Sequence, residues 1–156
     1  MRWPIGMEPE HSTVYARNEI VIPAQPYRIW RWLCRAERWP EWYSNCRWIR
    51  FPDYDGPDLD PATRFVWKTF GVSVHSQVLV YNRSVELGWN ATAPGLRAYH
   101  GWLFEVVDAA HTRIITEETQ AGPLPAVAGW FLRRRLLRKH QEWLEGLSRM
   151  AQTGDP

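Results

Sequence analysis

The chain has 156 residues, 45% of them apolar and 23% charged, with a formal net charge of +2. That length suits one domain over residues 1–156, with its core at about 13–150, and lets roughly 70% of the unfolded surface be buried. A charge so near neutral gives no reason to expect a nucleic-acid partner, and no stretch approaches the roughly 18 consecutive apolar residues of a membrane span.

Met1 to Glu8, interrupted by Pro4, is not the apolar run of a secretion signal. Thr13 to Ile22 alternates as a strand with Val14, Ala16, Ile20 and Ile22 on one face. Pro23 ends it. Gln25 to Cys34 has helical spacing at Ile29, Trp30 and Leu33, and Pro26 suits a first helical turn. A second short helix is expected over Ala36 to Ser44. Cys46 to Phe51 reads as a strand, and Pro52 to Pro61 as a polar, aspartate-rich loop. Four more alternating strands follow over Thr63 to Phe70, Val72 to Tyr81, Ser84 to Ala93 and Leu96 to Val107. Their expected inward sets are Phe65, Trp67 and Thr69; Val74, Ser76, Val78 and Val80; Val85, Leu87 and Trp89; and Ala98, His100, Trp102, Phe104 and Val106. Arg113 to Ala121 adds a last strand, with Ile114, Thr116 and Glu118 on one face. A helix from about Pro125 to Met150 closes the chain. Its apolar stripe runs through Val127, Trp130, Phe131, Leu136, His140, Trp143, Leu144 and Leu147 and must pack on something. Arg133, Arg134, Arg135, Arg138 and Lys139 cover its other side. The order strand, two helices, six strands, long helix is that of an α+β protein with a helix on one face of an antiparallel meander.

These segments resemble a known family. Ile20-Val-Ile-Pro-Ala24, Ile29-Trp30 and Trp39-Pro-Glu-Trp42 are similar to the opening of START-like (SRPBCC; polyketide cyclase/dehydrase and lipid transport) proteins. Thr63-Arg-Phe-Val-Trp67, Leu87-Gly-Trp89, His100-Gly-Trp-Leu-Phe104, Thr112-Arg-Ile, Glu118, Gly122 and Trp143-Leu-Glu-Gly-Leu147 continue the likeness in the family's order. The resemblance implies a helix-grip fold. A seven-stranded curved antiparallel sheet would wrap around a long C-terminal helix, with two short helices after the first strand. It also implies an internal cavity for a small, largely apolar molecule. The family includes aromatase/cyclases, carriers of lipids and sterols, and hormone receptors. Fold therefore does not choose between an enzyme and a carrier or sensor, and no shared catalytic motif transfers residue by residue.

Candidate chemistry comes from the residues. If His100 and Glu118 lie inward on neighbouring strands, the carboxylate fixes the tautomer of the imidazole and raises its basicity. Such a pair suits enolisation or dehydration of a β-keto compound. A one-residue change of register would put Glu117 inside instead. Tyr43, Trp67, Trp89 and Trp102 are candidates for contact with an apolar ligand. Ser76, Thr116 and His140 are candidates for polar contact with it. His75 is expected in solvent.

No cofactor is implied and no metal spacing is present. Asp53, Asp55, Asp58 and Asp60 only loosely resemble a calcium loop, whose closing glutamate position holds Arg64. Cys34 and Cys46 fit no CxxC pattern and read as free thiols of a cytoplasmic protein. The expected partner is a small apolar ligand, bound by a monomer or a homodimer. The basic run Arg133 to Lys139 leaves a third reading, an interaction module meeting phosphates or anionic lipid.

Overall fold

The computed structural model describes residues 1–53 and 55–156. Its elements are β1 (Val14–Ile22), α1 (Pro26–Cys34), α2 (Trp39–Trp42), β2 (Cys46–Arg50), β3 (Arg64–Thr69), β4 (Val72–Asn82), β5 (Glu86–Ala93), β6 (Leu96–Val106), β7 (Thr112–Ala121) and α3 (Pro123–Thr153). All seven strands form one antiparallel sheet in the order β1-β7-β6-β5-β4-β3-β2. The meander β2 to β7 is thus completed by β1 pairing with β7. The sheet curves around α3, which packs on β1 and α1, in the helix-grip arrangement.

Inward residues follow the alternation closely. Phe65, Trp67 and Thr69 on β3, Ala98, His100, Trp102 and Phe104 on β6, and Ile114, Thr116 and Glu118 on β7 are all buried. Around them α1 contributes Ile29, Trp30 and Leu33, and α3 contributes Trp143, Leu144 and Leu147. Cys34 and Cys46 are free and buried. His75 is exposed, as expected.

The departures have local causes. The expected second helix divides into a 3-10 turn at Ala36–Arg38 and the short α2, with Pro40 in the first turn of α2. On β4 the register slips between Val78 and Val80, so Leu79 faces solvent and Tyr81, rather than Val80, packs inward against Trp30. Val85 lies in a turn after Ser84, whose φ is +60°, and Val106 sits at the end of its strand; both are exposed. The aspartate-rich loop is anchored to the core by buried Leu59, whose N–H donates to the Cys34 carbonyl at 2.7 Å. Asp58 of that loop pairs with Arg35.

The outer face of the sheet is also covered. Tyr99, opposite in direction to His100, is fully buried under Trp3, with ring centroids 5.4 Å apart. Arg2 pairs with Glu86, and the Thr119 hydroxyl donates to the Met7 carbonyl at 2.8 Å. Two glycines make this strap possible. A Cβ on Gly88 would lie 2.0 Å from the Tyr99 hydroxyl, and one on Gly101 would lie 2.0 Å from the Met1 sulfur.

Candidate functional site

Between the inner face of the sheet and the N-terminal half of α3 lies a cavity of about 390 Å³, within the range typical of small-molecule sites. The Trp side chains therefore do not fill the interior. The walls are mostly apolar, among them Val74, Ala91, Ala98 and Leu136. Val72, Leu124 and Phe131, which line the cavity and also reach solvent, mark its mouth.

The inner end is polar. β6 and β7 pair in the register that sets His100 directly opposite Glu118. Both are therefore inward, and Glu117 is on the outer face, where it accepts from the Tyr15 hydroxyl at 2.8 Å and pairs with Arg17 at 3.3 Å. α3 delivers a third group. His140 Nε2 lies 3.1 Å from Glu118 Oε2, and His100 Nδ1 lies 3.5 Å from the same oxygen. The two imidazoles stack with centroids 4.7 Å apart. Gln120, two residues along the same face of β7, donates from Nε2 to Glu118 Oε1 at 2.7 Å. Thr116, two residues in the other direction, meets His100 Nε2 at 2.6 Å and lies 3.3 Å from the Gly101 carbonyl. Its hydroxyl can donate or accept, so it serves either tautomer of His100.

Both nitrogens of His100 are thus engaged by protein groups. Of the ion-pair partners, the Glu118 side chain is the most open, 11% exposed against 4% for His100 and 1% for His140. Glu118 lines the cavity together with His100, Gln120 and His140. Burial, reinforced by the neighbouring His140, holds the pKa of His100 well below the ordinary imidazole value of 6.5, so it is neutral at pH 7.

Donor atoms of His100, Glu118 and His140 all lie within 4.8 Å of one another, close enough to share a cation. A metal-bound imidazole ordinarily donates its second nitrogen to an outer partner. His140 Nδ1 has no such partner among the described residues. The three side chains are joined as they stand by hydrogen bonding and ion pairing, with Glu118 between the two imidazoles.

The remaining sequence candidates divide. Tyr43, Trp67 and Trp89 line the cavity with His100, Glu118 and His140; Ser76, Trp102 and Thr116 do not. Ser76 instead accepts from Trp67 Nε1 at 3.2 Å, and Trp102 packs behind His100 at 5.1 Å. Tyr43 stacks on Trp143 at 4.3 Å, and burial pushes its hydroxyl pKa up, so it stays a neutral phenol. Sequence reading passed over Gln120, although its period-two spacing from Glu118 places it on the same face. It also missed Trp143 as a wall residue. Of the eight buried side-chain polar atoms without a partner among the described residues, four, Trp89 Nε1, Gln120 Oε1, His140 Nδ1 and Trp143 Nε1, belong to residues of this wall.

The neutral His100 makes stability depend on pH. The unfolded chain takes up a proton at this imidazole near pH 6.5 and the folded chain does so only at lower pH. Stability is therefore full above that value and falls as pH drops from it toward the folded-state pKa. Glu118 from β7 and His140 from α3 are the ionisable groups that face the ring. Thermal unfolding between about pH 7.5 and about pH 5.5 is expected to show a falling melting temperature, with a shallower slope in His100→Gln. Equal slopes in the two proteins would remove His100 as the cause.

No protein-family model and no curated protein matches the sequence. Solved structures do. A hypothetical protein from Helicobacter pylori is 30% identical, with a TM-score of 0.87 over 97% of this chain and 95% of that one. A START superfamily protein from Mycobacterium smegmatis matches at 10% identity and a TM-score of 0.73, over 89% of this chain and 97% of the other. The Zhui aromatase/cyclase from Streptomyces sp. R1128 matches at 12% identity and a TM-score of 0.72, over 88% and 93%. With the Helicobacter pylori protein as a full-length relative and the START and aromatase/cyclase structures as matches in fold, the chain has the START-like (SRPBCC) helix-grip fold.

Proposed function

We propose that the cavity binds a small, largely apolar molecule carrying a carbonyl group, and that the chain catalyses proton transfer next to that carbonyl, as an enzyme resembling the aromatase/cyclases. The observation that supports this is the position of Glu118. A carboxylate buried with two imidazoles at the end of an apolar cavity is costly to desolvate, and such paired titratable groups in a cleft cluster at functional sites. Glu118 is the catalytic residue in this reading. Its carboxylate takes the proton from the carbon beside the carbonyl, the electron pair moves into the enolate, and the proton returns at oxygen or carbon. Where a β-hydroxyl is present, the C–O bond breaks as the enolate collapses and the proton held by Glu118 passes to the departing oxygen, which leaves as water. His100 and His140 are positioning residues that hold the carboxylate and bear part of the charge change. Tyr43, Trp67 and Trp89 shape the apolar part of the site.

The test needs no knowledge of the natural substrate. β-Tetralone, a bicyclic apolar ketone, is incubated with the protein in heavy water, and deuterium entry beside its carbonyl is followed by mass spectrometry. Exchange above the protein-free rate is expected. Binding of the ketone, read from tryptophan fluorescence, with exchange at the background rate would leave the carrier reading in its place.

A further inference from the structure

The apolar stripe of α3 does not pack along its whole length. Val127 is 90% exposed, Trp130 73% and Phe131 60%. With Leu124 they fall at the spacing of one helix face. The cause is visible in the backbone. Gly122, at φ +123° and with no room for a Cβ against the Gly95 carbonyl, starts the helix directly after β7. Ala128, at φ −116° and ψ 17°, then breaks the helical path. The first turns therefore lie over the cavity mouth, with Leu124 and Phe131 on its rim.

A basic surface follows at once. From Pro123 to Lys139 the helix carries Arg133, Arg134, Arg135, Arg138 and Lys139 and no acid; the first is Glu142. The Arg134 guanidinium lies over the Trp130 ring at 5.0 Å, and that of Arg135 over Phe70 at 5.0 Å. Arg134 and Arg135 are thus held beside aromatic rings, one exposed and one half-buried, whereas Lys139 pairs with Glu142. Arg138 reaches Glu142 only at 3.9 Å.

We propose that this face of α3 docks on the surface of an anionic lipid bilayer, with Val127, Trp130 and Phe131 entering the interface and the arginines meeting lipid phosphates. Exposed Trp and Phe flanked by Arg on a helix are the chemistry of an interfacial helix. Nucleic acid would satisfy the cations and leave three large apolar side chains in water. Among the described residues no helix is long and apolar enough to cross a membrane, and the proposed contact is with the bilayer surface. Because the ridge rims the mouth, an apolar ligand passes between bilayer and cavity with little exposure to water. The proposal concerns the route of the ligand and holds whether or not the ligand reacts.

The full chain is floated with phosphatidylcholine vesicles, with and without about a third of phosphatidylglycerol, at low and raised salt. Wild type is expected to float with the anionic vesicles and not with the neutral ones, and salt is expected to weaken the binding. The triple variant V127S/W130S/F131S changes only exposed side chains. It is expected to keep its melting temperature and lose at least about tenfold in partitioning. Arg134→Glu, also exposed, is expected to weaken binding to anionic vesicles alone. The proposal is overturned if wild type stays unbound, if partitioning survives the triple variant, or if wild type is a dimer that the triple variant converts to monomer. In that last case a second copy covers the ridge. Ketone exchange is measured without vesicles, so its failure and this one are separate results.

Discussion

Trp143→Ala is expected to lower the melting temperature by about 10 °C or more. Its indole is 1% exposed and touches six rings, with centroids at 4.3 Å to Tyr43, 5.0 Å to Trp102, 5.1 Å to Trp39, 5.3 Å to His100, 5.6 Å to Trp67 and 6.1 Å to Trp89. This side chain ties α3 to the inner face of the sheet alongside Leu136, His140 and Leu144. Truncating a buried Trp costs about 3–5 kcal/mol, and each kcal/mol moves the midpoint by about 2–4 °C in a chain of this size. The void would open into the existing cavity, because Trp143 is also a wall residue. An increased uptake of an apolar fluorescent dye should accompany the loss of stability. Trp143→Phe, which keeps a ring, should recover most of the melting temperature. A change in Trp143→Ala of only about 2 °C in a thermal scan would mean that the aromatic cluster does not hold α3.

How much of this was legible follows from the range over which each signal acts. Strand alternation is local, and it alone places Phe65, Trp67, His100, Trp102 and Thr116 on the inner face. The bulge at Leu79 was invisible because Val78, Leu79, Val80 and Tyr81 are all apolar and any register through them looks equally good. Likewise, Val127, Trp130 and Phe131 continue the stripe of Leu136 and Trp143 in sequence, and nothing in the residue type of Ala128 announces a break. The cover over Tyr99 rests on Trp3 and on the missing side chains of Gly88 and Gly101, a coincidence of three distant positions. The cluster of His100, Glu118 and His140 lies between these cases. His140 was readable from its spacing to Leu136 and Trp143. Its meeting with Glu118 required α3 to cross the sheet at β7, which no spacing encodes.

The pairing of β6 with β7 yields the sharpest contrast. Glu117 and Glu118 are adjacent in sequence, equal in chemistry and on opposite faces of the sheet. Glu118→Gln keeps shape and a hydrogen-bonding oxygen but removes the proton acceptor. If the proton-transfer reading is right, ketone exchange should fall by about 10²- to 10⁴-fold, the usual contribution of a general base. Glu117→Gln weakens a link to Tyr15 and Arg17 outside the cavity and should leave exchange within about twofold of wild type, with at most a small loss of stability. His100→Asn should behave differently from both. It leaves the carboxylate in place without its stacked partner, so exchange should persist at a reduced rate with an altered pH profile. Equal activity in the two glutamine variants would remove Glu118 from the chemistry. An unchanged pH profile in His100→Asn would reduce that histidine to packing. The comparison turns on which face of one strand a carboxylate occupies, and that is fixed by the hydrogen-bond register of β7 against β6 rather than by anything in the acidic pair itself.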